Sequence, residues 1–303
     1  SFTTRTSPYQ LPTLAQGSHT ITVRAYNIEG LYTDGVITFA VDITIPNAFT
    51  PQLNVGAYTT NTTPILTFTT NDPQTGINHY EVKIDDGSFT TRTSPYTLPT
   101  LAEGAHTITV RAFDNAGNYR DGTRNVTVDL TAPNNFTPEI NVTSPTSNTT
   151  PTITFETIDN FVVASYQVKV DSGSFTTQIS PYQLPALSAG DHQIIVRAID
   201  AAGNSKEGTT IFISVDNNGP VAFTPILNPA SPTNNQTPVL SFETTDDNGI
   251  DRYEVKIDSG SFNVQTSPYQ LPTLSAGNHT VTVRAYDTLN NYTDAIINVI
   301  IDL

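Results

Sequence analysis

The chain has 303 residues, 37% of them hydrophobic and 14% charged, and its lack of cysteine excludes disulfide scaffolds, thiolate zinc sites and cysteine nucleophiles. Its formal net charge of −15 excludes the basic surface that nucleic-acid binding requires. No apolar run approaches the roughly 20 residues that span a bilayer as a helix, so we expect neither nucleic acid nor a membrane span in this segment.

An internal repeat with a period of about 87 residues organises the whole chain. Each copy contains Ser-Phe, then Ser-Pro-Tyr-x-Leu-Pro, Gly-x-His and Val-Arg-Ala. Each copy ends on an aspartate, namely Asp42, Asp129, Asp216 and Asp302. We predict domains at 44–130, 131–217 and 218–303, called here the first, second and third full repeats. Residues 1–43 are predicted to be the C-terminal half of such a domain and are called the half repeat.

Each repeat has the pattern of short β-strands separated by turns. In the second full repeat, strands are predicted over 139–143, 151–156 and 166–170, and the last of these alternates apolar and polar residues. In the first full repeat they are predicted over 106–113 and 125–128. No segment has the period of a helix. The pattern predicts an all-β fold of tandem immunoglobulin-like, seven-stranded β-sandwich domains, arranged like beads on a string.

Two segments carry a resemblance to a known family. Residues 128–133 read Val-Asp-Leu-Thr-Ala-Pro, and residues 110–118 read Val-Arg-Ala-Phe-Asp-Asn-Ala-Gly-Asn. They resemble the junction and the sixth-strand signature of bacterial immunoglobulin-like, fibronectin type III-like tandem repeats in large cell-surface and adhesin proteins. The third full repeat departs from this pattern, with Asn290-Asn291 in place of Gly-Asn. The resemblance implies a bacterial, extracellular repeat segment.

One histidine recurs at the same position of every copy: His19, His106, His192 and His279. These residues share the parity of the buried face of their strand, and fibronectin-like folds place a loop-anchoring tyrosine there. A single histidine per repeat is a poor zinc site. We therefore interpret the four as structural residues with internal hydrogen bonds.

Calcium fits the acidic positions better than zinc, because it prefers several carboxylate and carbonyl oxygens. Candidate ligands at the ends of the repeats are Asp42, Asp129 and Asp216. Candidate ligands in the tight turns are Asp114 with Asn118, and Asp200 with Asn204. A third candidate is the segment 246–251, Asp-Asp-Asn-Gly-Ile-Asp. The alternative is that aspartate and asparagine are simply good turn formers. We expect any calcium at the junctions, where it would rigidify the array.

Each junction carries a proline that is followed three residues later by a phenylalanine. The pairs are Pro46 with Phe49, Pro133 with Phe136, and Pro220 with Phe223. Proline stiffens a linker, and we predict that the phenylalanines pack across the joint between domains.

Enzyme signatures are missing from the sequence, which has no Gly-x-Ser-x-Gly, no phosphate-binding glycine loop and no His-Glu-x-x-His. We predict no enzyme but a structural segment of an extracellular stalk, fibre or filament, of the adhesin kind. Its expected partners are the neighbouring repeats, identical chains in a filament, and a glycan or host surface. Two alternatives stay open: carbohydrate-binding or spacer modules of a secreted hydrolase, and a subunit that polymerises by strand complementation of the half repeat.

Overall fold

The protein is all-β in the computed structural model, which describes residues 1–303, and the predicted fold class is confirmed. No helix in it is long and apolar enough to cross a membrane. The strands of the half repeat and the first full repeat are β1 (Gly17–Tyr26), β2 (Tyr32–Val41), β3 (Gln52–Leu53), β4 (Tyr58–Thr59), β5 (Ile65–Thr67), β6 (Ile77–Ile84), β7 (Thr90–Arg92), β8 (Tyr96–Thr97), β9 (Gly104–Asp114) and β10 (Tyr119–Val128).

The later repeats reproduce this order. The strands of the second full repeat are β11 (Glu139–Ile140), β12 (Thr152–Thr154), β13 (Val163–Val170), β14 (Thr176–Gln178), β15 (Tyr182–Gln183), β16 (Gly190–Asp200), β17 (Ser205–Glu207) and β18 (Ile211–Val215). Those of the third are β19 (Ile226–Asn228), β20 (Val239–Ser241), β21 (Ile250–Ile257), β22 (Asn263–Gln265), β23 (Tyr269–Gln270), β24 (Gly277–Asp287) and β25 (Tyr292–Ile301).

Every full repeat forms two sheets, as a β-sandwich requires. The first contains a sheet β3-β5-β8 and a sheet β4-β10-β9-β6-β7. The second contains β11-β12-β15 and β14-β13-β16-β17, with β18 also paired to β16. The third contains β19-β20-β23 and β22-β21-β24-β25. The half repeat supplies the antiparallel hairpin β1-β2 alone.

Strand counts differ slightly between repeats. The third full repeat has the predicted seven strands, whereas the first has an eighth, because Tyr58–Thr59 pairs in parallel with the end of β10. In the second full repeat, β17 and β18 together take the place of the single long strand that is β10 in the first and β25 in the third. Gly208 lies between β17 and β18. A Cβ on Gly208 would lie 2.9 Å from the ring of Phe136 and 2.9 Å from Pro138 Cδ, so a side chain there would force these neighbours to shift.

Alternate residues of the long central strands fill the core between the two sheets. Ile108, Val110 and Ala112 of β9 are fully buried, as the predicted parity requires. The Ser-Pro-Tyr-x-Leu-Pro segment contributes to the same core, because Leu98 is buried and Tyr96 packs against it. Ser94 Oγ accepts a hydrogen bond of 3.0 Å from the backbone N–H of Phe68.

Residue contacts divide the chain into two compact units. One unit comprises residues 1–131 and 201–204, and the other comprises 132–200 and 205–303. The first unit contains the half repeat and both sheets of the first full repeat, and the second unit contains the sheet pairs of the other two. Each sheet pair lies inside one predicted repeat, while the predicted domain boundaries themselves stay a prediction.

Candidate metal centre

Three aspartates from three different elements meet where the half repeat joins the first full repeat. Asp42 follows the last residue of β2, Asp72 lies in the loop between β5 and β6, and Asp114 ends β9. One carboxylate oxygen from each lies within 4.8 Å of the others. We call this cluster the first triad. It brings together a predicted junction residue, a predicted turn residue and one residue that the sequence analysis did not single out.

Hydrogen bonds fix the orientation of Asp114 and of the turn that follows it. Its Oδ1 accepts from the backbone N–H groups of Ala116 and Asn118 at 2.8 and 2.9 Å. Its Oδ2 accepts from Asn118 Nδ2 at 2.8 Å, and the same amide donates to the backbone oxygen of Asp42 at 3.2 Å. The side-chain amide of Asn118 therefore links the turn to the junction as a hydrogen-bond donor, and Asn118 is not one of the three clustered acidic residues.

Asp72 leaves one oxygen without a partner inside the first triad. Its Oδ1 accepts from the backbone N–H groups of Gln74 and Thr75 at 2.9 and 2.8 Å. Its Oδ2 is buried with no hydrogen-bond partner, and the residue is only 6% exposed. A buried carboxylate oxygen without a partner is costly unless a cation or donor compensates it.

The third full repeat carries the equivalent cluster, called the third triad, in Asp216, Asp246 and Asp287, with ligand oxygens again within 4.8 Å. Asp287 is fully buried and accepts from the N–H groups of Leu289 and Asn291, both at 2.8 Å. Asn291 Nδ2 donates to Asp287 Oδ2 at 2.7 Å and to the backbone oxygen of Asp216 at 3.0 Å. The departure Asn290-Asn291 thus preserves the amide that the turn needs. Asn290 adopts a positive φ of 66° at the position where Gly117 and Gly203 have positive φ angles of 93° and 98°.

The pKa values of two aspartates, one in each triad, are shifted in opposite directions by their surroundings. Hydrogen bonds from Thr44 and then from Thr75 hold the pKa of Asp42 below its ordinary value. Burial, followed by repulsion from Asp216 and Asp287, raises the pKa of Asp246. Repulsion of this kind is relieved when a cation occupies the space between the carboxylates.

The remaining predicted ligands belong to the second copy of the pattern. Asp129 and Asp200 are both buried, and Asn204 Nδ2 donates to the backbone oxygen of Asp129 at 3.0 Å. Asp159 holds the position in this copy that Asp72 and Asp246 hold in theirs. Asp72, Asp159 and Asp287 were not among the predicted ligands, although an aspartate recurs at each of these positions when the repeats are aligned.

The possible metal ligands that face one another in the triads are carboxylate oxygens, and such ligands suit a hard divalent cation such as calcium. Cysteine is absent from the chain, and the recurrent histidines lie elsewhere. His106 Nε2 bonds to the backbone oxygen of Ala102 at 2.9 Å, and His19 makes the matching contact with Ala15 at 2.7 Å. His192 and His279 contact Ser188 and Ser275 in the same way.

The junction phenylalanines make their contacts within the repeat that they open. Phe49, Phe136 and Phe223 pack against the cores of the first, second and third full repeats respectively. Each meets a core tyrosine edge-on, as Phe136 does with Tyr166 at a ring-centre separation of 6.2 Å. Packing of these rings across the joint stays a prediction, and the contacts that they make are with the core of their own repeat.

The three junction prolines, Pro46, Pro133 and Pro220, are all buried. The backbone oxygens of two of them accept hydrogen bonds from the last strand of the same repeat. Arg120 Nε of β10 donates to the oxygen of Pro46 at 2.6 Å, and Thr293 Oγ1 of β25 donates to that of Pro220 at 2.5 Å. Pro46 and Pro220 therefore anchor their linkers to the repeat that follows.

The arginine of the Val-Arg-Ala signature packs on the solvent-facing side of the sheet, away from the triads. Arg111 stacks between the rings of Phe89 and Tyr119, with its guanidinium carbon 4.1 and 4.0 Å from their centres. It also forms a two-pronged ion pair with Asp121 at 2.8 and 3.0 Å. Arg24 and Arg284 repeat this arrangement with Asp34 and Asp294. The recurring Ser-Phe and Arg residues are thus accounted for by packing on the outside of the sheet.

Known proteins were compared with the chain by sequence and by structure. No protein-family model matches it, and no curated protein sequence matches it. A tetra-tandem repeat from the extending region of a large adhesion protein matches at 23% identity, covering 95% of this chain and 82% of that one, with a TM-score of 0.32.

Two further solved structures match. One is from a 1.5-MDa bacterial ice-binding adhesin, at 15% identity over 79% of this chain and 91% of that one, with a TM-score of 0.37. The other comprises fibronectin(III)-like modules of Clostridium thermocellum CbhA, at 17% identity over 55% and 94% of the two chains, with a TM-score of 0.31. The matches include the kinds of repeat that the sequence resembles, and at these identities they concern the fold alone.

Proposed function

We propose that the chain is a non-catalytic, extracellular repeat segment of a surface stalk or filament, in which calcium at the aspartate triads fixes the joints between repeats. The observation that carries this proposal is the first triad, where Asp42 from the half repeat meets Asp72 and Asp114 from the first full repeat. An ion bound there links the end of one repeat to two loops of the next.

The donor set supports calcium in particular. Calcium takes six to eight oxygens, commonly from aspartate side chains, backbone carbonyls and water. The first triad offers three carboxylates, one of which has a buried oxygen without a partner. By repetition of the sequence, the same ligand prediction extends to Asp129 and Asp200.

The structural role is supported by what the recurrent residues do. The Ser-Pro-Tyr-x-Leu-Pro segment, the histidine and the Val-Arg-Ala signature each bond or pack within their own repeat. Tyr96, Tyr182 and Tyr269, the aromatic residues that a glycan site would need to expose, pack against the cores of their repeats instead. These contacts favour a spacer over a carbohydrate-binding module.

Calcium binding is tested by titration calorimetry on the whole chain and on Asp72→Asn. The substitution keeps an acceptor for the loop N–H groups but removes a charge from the first triad, so we expect the calcium stoichiometry to fall by one site, or the affinity of one site to fall at least about tenfold. Asp86→Asn is the matched control, because Asp86 is an exposed carboxylate of the same repeat outside the triad. Equal calcium binding by all three proteins would contradict the proposal.

A further inference from the structure

The recurrent histidine of each full repeat faces two hydrogen-bond acceptors at once. His106 Nδ1 lies 2.7 Å from Asp85 Oδ2, and its Nε2 lies 2.9 Å from the backbone oxygen of Ala102. A carbonyl oxygen only accepts, and an ionised carboxylate only accepts. A neutral imidazole has one N–H to offer, so both contacts are hydrogen bonds only when the ring carries two protons.

The same pair of contacts recurs in the other two full repeats. His192 contacts Asp171 Oδ2 at 2.7 Å and the oxygen of Ser188 at 2.9 Å. His279 contacts Asp258 Oδ2 and the oxygen of Ser275 at the same two distances. Ser275 Oγ also lies 3.4 Å from the ring of His279, as a weaker contact in which either atom is the donor.

The aspartate of each pair is held in place by its own backbone and by its second oxygen. Asp85, Asp171 and Asp258 adopt positive φ angles of 50°, 51° and 51° at the hairpin turn. Asp85 N donates to Thr107 O at 2.8 Å, and Thr107 N donates back to Asp85 Oδ1 at 2.8 Å. The carboxylate therefore continues the pairing between β6 and β9 past the end of the strand and presents its remaining oxygen to the histidine.

We infer that each full repeat contains an imidazolium–carboxylate latch, formed by His106 with Asp85, His192 with Asp171 and His279 with Asp258, that joins a hairpin turn to the loop before the long strand and releases when the ring loses a proton. The latch makes the stability of the repeats depend on pH. It is separate from the aspartate triads, so it neither requires calcium nor depends on the proposed calcium function.

Few charged groups other than the latch aspartates act on the rings. Asp85 is the charged group that acts on His106 and Asp258 the one that acts on His279, whereas His192 experiences Asp171 and, more weakly, Asp191. Burial lowers the pKa of His106, but the bonds to Ala102 and Asp85 outweigh it and the net shift is upward. The bond to the aspartate, followed by that to the serine oxygen, raises the pKa of His192 and of His279.

The sign of the pH dependence follows from these directions. A histidine with a raised pKa in the fold contributes stability that is complete below its ordinary pKa of 6.5 and is lost as the pH rises through the higher folded value. The partner aspartates have lowered pKa values, so their contribution is complete above 3.8 and is lost only as the pH falls below it. The latches are therefore fully formed between these limits and weaken on the alkaline side.

The protonation state is tested by NMR of the imidazole nitrogens in the intact chain. At about pH 6.5, where an imidazole with the ordinary pKa is half protonated, we expect more than half of the molecules to carry protons on both ring nitrogens of His106, His192 and His279. In Asp85→Asn the titration midpoint of His106 should fall by about one pH unit or more, because the carboxylate is lost while the turn keeps its acceptor. Asp86→Asn, which changes the neighbouring exposed carboxylate, should leave that midpoint unchanged.

A second measurement links the latch to stability. The melting temperature of the wild-type chain should decline as the pH rises through the midpoints measured by NMR, and the triple variant Asp85→Asn, Asp171→Asn, Asp258→Asn should show a smaller decline. A titration midpoint of His106 at or below the ordinary value of 6.5 would overturn the inference. So would a titration midpoint of His106 that does not respond to Asp85→Asn.

Discussion

At the scale of the residue, aspartate serves three separate purposes in this chain, and its position decides which one. Asp85 adopts a positive φ at a turn, Asp121 forms a two-pronged ion pair with Arg111, and Asp72 lies buried in a triad. The first two have partners inside the protein. The third has a buried oxygen that no protein group satisfies, and for this reason the triads are the candidate ligand sites.

One prediction at this scale concerns the sign of a mutational effect. Without calcium, Asp246→Asn should be neutral or stabilising, because it removes repulsion from Asp216 and Asp287 while the amide oxygen still accepts from Asn248 N. With saturating calcium the same change should be destabilising by about 1–3 kcal/mol, because a ligand is lost. Urea unfolding with calcium and with chelator measures both values, and an effect of the same sign in both conditions would show that the triad does not hold the ion.

At the scale of the element, the segment that enters each full repeat is fastened to the hairpin that closes it. In the second full repeat, Phe136 packs against Tyr166, and its ring lies close to the backbone at Gly208. Thr209 N donates to the backbone oxygen of Phe136 at 3.0 Å. The entry segment is thus part of the sandwich, and its phenylalanine belongs to the core rather than to a free hinge.

The corresponding prediction is that Phe136→Ala destabilises the second full repeat by about 2–4 kcal/mol, because a large ring is removed from a packed core. Phe212→Ala is the matched control, since Phe212 lies in the same repeat and is 73% exposed. That change should cost less than about 0.5 kcal/mol. Chemical denaturation followed by fluorescence compares the two, and similar losses for both variants would contradict the packing described here.

At the scale of the whole molecule, length is built by copying one sandwich, so a property of one copy is multiplied along the chain. The aspartates of the triads and the latch pairs recur in this way. Proline in the linkers limits their conformations, and an ion that joins the end of one repeat to loops of the next would limit them further.

This leads to a prediction for the intact chain in solution. With calcium, small-angle scattering should show a narrower distribution of conformations than with a chelator, and the double variant Asp72→Asn, Asp246→Asn should respond less. The same ion should raise the free energy of unfolding by about 2.7 kcal/mol per site at a concentration one hundred times its Kd. An unchanged scattering profile together with an unchanged melting temperature would remove the proposed role of calcium.

The all-β class, the copies and the parity of the buried strand could all be predicted from the sequence, because strand period, turn residues and repetition are local properties of the chain. Ile108, Val110 and Ala112 follow directly from alternation. The sequence also pointed to Asp42 and Asp114 one by one, since each sits at a recognisable end of a strand.

Which of these residues lie close together depends on the three-dimensional fold. Asp72 is separated from Asp42 and Asp114 by 30 or more residues, and its loop comes close to theirs only when the sheets pair. Likewise, nothing local in the sequence shows that His106 faces both Asp85 and Ala102, or that Phe49 turns into its own core. A triad, a latch and a packed ring are each defined by distances across the sheets, and those distances are set by long-range strand pairing.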